Sequence, residues 1–433
     1  MKVGSFVPEQ AGRVLYAMAG DDCSLHHDLA ALTPKQQVDH RENQILTCAL
    51  QLALIGLGKA TDQVALAREF QEEPWQQLLE HYRMLFSGMG LGAVSSDNLQ
   101  YHDLDGFYEA LAARNHDVDL INLYMVSGGN AVLHQDTEAL TVSRNVNSKV
   151  HFAAHAPAAG IPVPETSVFS KAAIDGGEAD GFFAAHPEGL MVKLLGLAGA
   201  RNVFQAISVQ DCKDQIAEFP AQSPVLLQEI LDTRRWREMT VDLTITPESV
   251  EISNVRQILF AGGKWVGNFI SPELPLTAAH QATLERVGAY ARDQGHVAAE
   301  GVNCGVDYFI DGDDVTVTEI NARWTGGLFP AEFLRRLAIA QPAVAFFDVI
   351  PFDAMAALQQ FQRQHLYQPG SPRDFAYVPM GFTPFRMPVA DVDCFFVWQV
   401  VVGDFGQFVA ACDGAMPEGC FATARAILAE ALS

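Results

Sequence analysis

The stretch GVDYFIDGDDVTVTEINAR, residues 305–323, decides how this 433-residue chain is read. Two apolar runs, Gly305–Ile310 and Val315–Ile320, flank Asp311-Gly312-Asp313-Asp314, and Asp-Gly between apolar runs is a strong hairpin signal. Side chains on a strand alternate, so Glu319, Asn321 and Arg323 share one face while Ile320 and Ala322 take the other. A turn at 311–314 pairs position 307 with 318 or 319 and so brings Asp307 beside Glu319. Two carboxylates and an amide oxygen on neighbouring strands make the hard oxygen set that suits Mg²⁺. Arg323 stands next to them, placed to stabilise charge on a transferring phosphoryl group. The solvated face of an edge hairpin gives the same E-x-N pattern. Asp307, Arg323 and the following Thr325-Gly326-Gly327 weigh towards the metal.

Three upstream pieces extend this reading. In MVKLLGLAGARN (191–202) Lys193 ends an apolar strand and small residues up to Gly199 follow. Glycine lets backbone N–H groups approach phosphate oxygens, and the lysine adds a point charge. The spacing is not that of a P-loop, and ordinary hairpins share it. Lys149, after Asn145 and Asn147 and before Gly160-Ile161-Pro162-Val163-Pro164, is a second cation placed to face phosphate; a solvated helix residue fits equally. In PVLLQEILD (224–232) an apolar strand runs through Gln228 and Glu229 to Asp232. That suits a flat base pocket in which the backbone from Glu229 to Leu231 reads an adenine edge and Asp232 takes ribose hydroxyls. Gln228 and Glu229 alternate, so only one faces the pocket.

Outward from these motifs, the chain divides. The first ~115 residues carry helical spacing at Arg41–Leu57 and Glu73–Phe86, then a strand at Val118–Met125. The turn Ser127-Gly128-Gly129-Asn130 after it reads as a loop needing positive φ. A dense run of strands between 166 and 269, interrupted by helices at Ser208–Glu218 and Thr277–Asp293, predicts an α+β layout with antiparallel strands. Residues 368–373 read as a linker, and the last sixty, with the strand Cys394–Val402 and a terminal helix, as a small module. His151 and His155 have metal spacing but read as a surface helix. Arg234, Arg235 and Arg237 form a basic cluster that attracts acidic substrate or lies in a solvated loop.

Composition narrows the partners. The chain has 28 Lys and Arg against 52 Asp and Glu, a net charge of −24, which argues against duplex nucleic acid or an anionic membrane. One small nucleotide held by a few placed cations and a metal remains open. Hydrophobic residues at 49% and charged residues at 18% fit a chain folded along its length. The seven cysteines are scattered without a C-x-x-C pair, which predicts reduced thiols and a cytoplasmic location. Neither a signal sequence nor a run of 18 apolar residues is evident.

Lysine, lysine with glycine loop, Q-E hinge and D…E-x-N-x-R occur in a set order, and in that order the chain from about Asn145 to Leu337 resembles the ATP-grasp superfamily. The resemblance implies a fold that is α/β and α+β: an N-terminal α/β domain (1–145), a small lobe (146–231), a catalytic lobe with the metal site (232–345) and a C-terminal module (346–433). It implies ATP held between two lobes and Mg²⁺ as cofactor. Lys149, Lys193 and Gly199 fall on phosphates, Gln228, Glu229 and Leu231 on the base, Asp232 on ribose, Asp307, Glu319 and Asn321 on magnesium, and Arg323 near an acyl-phosphate transition state. Arg237-Glu238 matches the family's Arg-Glu, where Glu238 lines the nucleotide side or forms a salt bridge. The implied activity joins a small-molecule carboxylate to an amine through an acyl phosphate, as in stand-alone peptide or amino-acid ligases, and is compatible with a homodimer. A thiol or carboxylating acceptor, or a nucleotide-binding regulator without turnover, are the competing readings.

Overall fold

The computed structural model describes residues 2–5, 12–196, 202–370, 373–387 and 392–432; Gly199 lies outside them. The N-terminal sheet is parallel, with strands β1 (Lys2–Ser5), β2 (Val14–Ala17), β3 (Gln63–Ala67), β4 (Leu99–His102) and β5 (Leu120–Leu123) in the order β1-β5-β2-β3-β4. Every residue of β2 and β5 is buried, as expected of parallel strands covered on both faces. Such strands show no alternation, which is why the sequence pattern in this region reads as mainly helical.

The helix expected at Arg41–Leu57 begins earlier, at Pro34. Thr33 caps it reciprocally with Gln36, Thr33 Oγ1 accepting from Gln36 N and Gln36 Oε1 from Thr33 N, and Pro34 fixes the first helical φ. The chain leaves it at Gly58, where a Cβ would lie 2.4 Å from Val94 Cγ2.

A second sheet of four antiparallel strands forms the small lobe: β6 (Thr166–Ser170), β7 (Leu190–Leu194), β8 (Val203–Ala206) and β9 (Pro224–Glu229), ordered β6-β9-β7-β8. The third has eight antiparallel strands: β10 (Arg237–Ile245), β11 (Val250–Ala261), β12 (Lys264–Ile270), β13 (Val302–Asp311), β14 (Asp314–Asn321), β15 (Ala343–Pro351), β16 (Phe375–Met387) and β17 (Val392–Gly403), ordered β14-β13-β10-β11-β12-β15-β17-β16. Residues 343–403, most of them assigned in the sequence to a C-terminal module, therefore continue the sheet that carries the D…E-x-N motif. The linker at 368–373 leads directly into β16.

Core packing follows the same connection. The helix Pro34–Leu57 lies on β16 so closely that a Cβ at Gly381 would fall 2.1 Å from Ala49 O. Phe382 on β16 meets Phe70 and Tyr82 of the N-terminal region, with ring centroids 5.4 and 5.1 Å apart. N- and C-terminal regions thus share one apolar core. Helix Ala278–Asp293 covers the other end of the large sheet, burying Leu284 and Val287 against β10, β13 and β14. A third core fills the small lobe. All seven cysteines are buried thiols outside any disulfide. Among the described residues no helix is long and apolar enough to cross a membrane.

Candidate active site

The hairpin β13–β14 is formed as its sequence dictates. Gly312 supplies the positive φ of the turn (+59°), and Asp311 pairs with Asp314. The register puts Asp307 opposite Glu319, with an irregularity immediately after Asp307. Ile320 and Ala322 are buried on the opposite face.

Around this pair the predicted cations assemble. Lys149 opens the helix Lys149–His155, capped by Ser148, and its Nζ lies 2.5 Å from Glu319 Oε2. Lys193 is buried on β7, where it senses Glu319, Lys149, Glu238 and Asp307; burial, only partly offset by the carboxylates, pushes its pKa down to about 8. Glu238 on β10 is pushed up to about 8 by burial and by Asp307, against the pull of Lys193. Asp307 is raised to about 7 by burial and by Glu319, although Thr240 donates to it. Burial works against ionisation of Glu319 too, but Lys149 and Lys193 together hold it below the usual carboxylate range.

Asn321 does not present its oxygen to this pair. Its Nδ2 donates to Asp307 Oδ2 at 2.9 Å and points at Glu319 Oε1 at 3.5 Å, while its Oδ1 accepts from Arg323 Nη1. The amide nitrogen offsets two adjacent carboxylates, the role the sequence reading gave to a cation. Arg323 also reaches the N-terminal region: its Nε donates to Tyr124 Oη at 2.9 Å and lies 3.3 Å from Asp22 Oδ1. Neither partner is legible from spacing, since Tyr124 is 199 positions away.

At the hinge, Gln228 is the buried member of the alternating pair, and its Nε2 donates to Thr166 Oγ1 at 3.0 Å. Glu229 N donates to Glu165 O at 2.9 Å. Glu229 and Leu231 are half-buried. Asp232 is exposed and grips Arg234 through both carboxylate oxygens, at 2.9 Å each. Arg235 pairs with Asp311. Two members of the basic cluster are therefore already partnered.

A cavity of about 690 Å³ in the N-terminal region is lined by Gly20, Asp21, His26, Gly128, Gly129 and Arg144 among others. It lies where the chain leaves the carboxyl ends of β2 and β5, neighbouring strands of the parallel sheet, the usual side for a ligand crevice in α/β sheets. Asp21 forms its floor, accepting from Tyr108 Oη at 2.6 Å, Ser127 Oγ at 2.9 Å and Asn130 Nδ2 at 3.1 Å. The glycines of Ser127-Gly128-Gly129-Asn130 do not have positive φ, contrary to the expectation. They are needed because Ser24 backs onto them: a Cβ would lie 2.8 Å from Ser24 O at Gly128 and 2.7 Å from Ser24 Oγ at Gly129. His151 and His155 stack at 4.1 Å, and His151 Nδ1 lies 3.1 Å from Tyr290 Oη.

No protein-family model matches the chain, and no curated protein matches it in sequence. Solved structures do match in shape. Phosphoribosylamine–glycine ligase from Thermotoga maritima is 12% identical with a TM-score of 0.53, over 94% of this chain and 98% of that one. Carboxyaminoimidazole ribonucleotide synthase from Aspergillus clavatus, complexed with ATP, is 14% identical with a TM-score of 0.51, over 89% and 93%. Biotin carboxylase from Campylobacter jejuni is 11% identical with a TM-score of 0.51, over 97% and 95%. The chain has the ATP-grasp fold, and the likeness runs through the N- and C-terminal regions as well as the stretch from Asn145 to Leu337.

Proposed function

We propose that this protein is an ATP-dependent ligase that activates a carboxylate as an acyl phosphate and passes the acyl group to an amine, releasing ADP and phosphate. The observation that carries the reading is the convergence of Lys149, Lys193, Glu238, Asp307 and Glu319, from two sheets and one helix, on one buried spot beside the hinge. The donor set fits a hard divalent cation. Burial and the neighbouring Glu319 charge make Asp307 hard to ionise, and a divalent cation bound between the two carboxylates would favour the ionised pair. Asp307 and Glu319 would hold it, with Asn321 joining once its amide oxygen replaces the nitrogen. Bound there, magnesium would neutralise phosphate oxygens as charge shifts during transfer.

The protein's own groups do the positioning. Lys149 and Lys193 face the phosphates, the Glu229 carbonyl and Leu231 N–H read the adenine edge, and Gln228 fixes the strand from within. Asp232 reaches ribose hydroxyls only by giving up its pair with Arg234. A carboxylate oxygen attacks the γ-phosphorus and the bond to ADP breaks; the amine then attacks the acyl carbon and phosphate leaves. Arg323, linked to Asn321 of the hairpin and to Tyr124 and Asp22, orients the carboxylate and stabilises the transferring group. The cavity at Gly20, Asp21 and Arg144 receives the small substrates. A screen of amino acids, singly and in pairs, for ADP and phosphate release, with mass spectrometry of the product, tests this. An amide product with stoichiometric ADP is expected. Turnover only with bicarbonate or a thiol would move the protein to another acceptor class, and nucleotide binding without turnover under any pair would overturn the ligase reading.

A further inference from the structure

On the outer side of the hinge, three ligating side chains far apart in sequence come together. Glu165 lies just before β6, His186 ends the short helix Asp180–Ala185, and Glu229 ends β9. One carboxylate oxygen from each glutamate and a ring nitrogen of His186 all lie within 4.8 Å of one another, and His186 Nε2 is 3.5 Å from Glu165 Oε2.

The histidine is set up as a ligand. Its Nδ1 lies 2.8 Å from Phe182 O, and since a carbonyl only accepts, Nδ1 carries the proton. Nε2 is then the nitrogen that faces Glu165, the arrangement in which a backbone carbonyl fixes the tautomer of a metal-bound imidazole. Phe182 packs against the ring at 4.5 Å and restrains it from the other side. The side chain of His186 is 13% exposed while that of Glu165 is 64% exposed, so the imidazole is held by the protein and the open side admits water.

We infer that Glu165, His186 and Glu229 form a second cation site, separate from the Asp307–Glu319 pair and selective for a borderline transition metal of the zinc and cobalt type. Imidazole nitrogen with two carboxylates suits such ions, whereas Mg²⁺ and Ca²⁺ favour oxygen alone. Three protein ligands leave room for water to complete the shell. The backbones of Glu165 and Glu229 are already joined by the Glu229 N to Glu165 O hydrogen bond. A metal joining their side chains as well braces β6 against β9 at the entrance to the hinge.

Titration of the chelator-treated full chain with Co²⁺, followed by its visible absorption, and with Zn²⁺ by calorimetry, tests the site without ATP or substrate. One ion per chain is expected, with Mg²⁺ and Ca²⁺ failing to displace it. Glu165→Gln and His186→Gln, whose folding circular dichroism checks, should each weaken binding at least about tenfold, while Glu319→Gln leaves it unchanged. Absence of uptake, equal affinity in His186→Gln, displacement by Mg²⁺, or loss of binding in His155→Ala or Glu319→Gln instead would each overturn the proposal. None of these readouts depends on the ligase reading.

Discussion

Lys149 and Glu319 meet at 2.5 Å, the first residue of a helix pinned to the third-last residue of β14. The contact ties the lysine proposed to face phosphate to the carboxylate pair. Glu319→Ala removes half of that pair and frees the lysine, so turnover should fall about 100-fold or more. The melting temperature should change little, because the position is only half-buried. ADP release by the purified variant checks the first outcome and circular dichroism the second; wild-type turnover in Glu319→Ala would remove the metal assignment.

Arg256 and Asp242 form a second ion pair, both side chains fully buried, at 2.5 Å. Thr325 Oγ1 donates to Asp242 Oδ1 at 3.0 Å and accepts from Leu328 N at 3.2 Å, so the pair holds the loop after the E-x-N-x-R strand. Arg256→Met leaves a buried carboxylate without its partner and should cost about 3–5 kcal/mol in urea denaturation. The double change Arg256→Met with Asp242→Leu should recover most of that loss. Equal instability of single and double variants would mean that packing, not charge, is at stake.

Gly381 offers a test of the shared core. Its missing Cβ makes room for Ala49 O, a backbone atom that cannot swing aside. Gly381→Val should destabilise by at least about 1–3 kcal/mol, lowering the urea midpoint with little change in slope. An unaltered midpoint would contradict the close approach of helix Pro34–Leu57 to β16.

Asp348 gives a pH prediction away from the site. It is buried, accepting from Val349 N at 2.9 Å, Thr423 N at 3.4 Å and Ala424 N at 3.2 Å, yet burial outweighs these donors and raises its pKa to about 6. An unfolded aspartate titrates near ~3.9, so the folded chain holds the proton more tightly. The stability this adds is complete below about pH 4 and is lost as pH rises through 6, on the order of 2–3 kcal/mol. The difference in unfolding free energy between wild type and Asp348→Asn, measured from about pH 4 to pH 7, should follow that curve. A difference that does not vary with pH would refute the assignment.

Local signals made the hairpin legible: Asp-Gly fixed the turn, the turn fixed the register, and the register put Asp307 opposite Glu319. The strand Leu190–Leu194 was bounded in the sequence as the structure has it, because its apolar run ends at a lysine. What spacing does not encode are contacts made by long-range packing. Arg323 finds Tyr124 and Asp22 far away in the N-terminal region, and Asp21 gathers Tyr108 from a helix and Ser127 and Asn130 from a loop. β2, β3 and β4 are four- or five-residue strands with too few alternating positions to register, and β16 carries prolines and Gly381 within its span. The Ser127–Asn130 glycines show the limit from the other side: the residue type was informative, but the reason, a neighbouring chain at Ser24, was visible only in three dimensions.

The core that joins helix Pro34–Leu57 to β16 also orders events during synthesis. The helix leaves the ribosome some three hundred residues before the strand that covers it, so its apolar flank stays exposed while the middle of the chain is being made. The small lobe, whose strands span only residues 166–229, can close in the meantime. The N-terminal sheet and its helix are thus completed late, and a nascent chain halted before Phe375 would present that flank to chaperones.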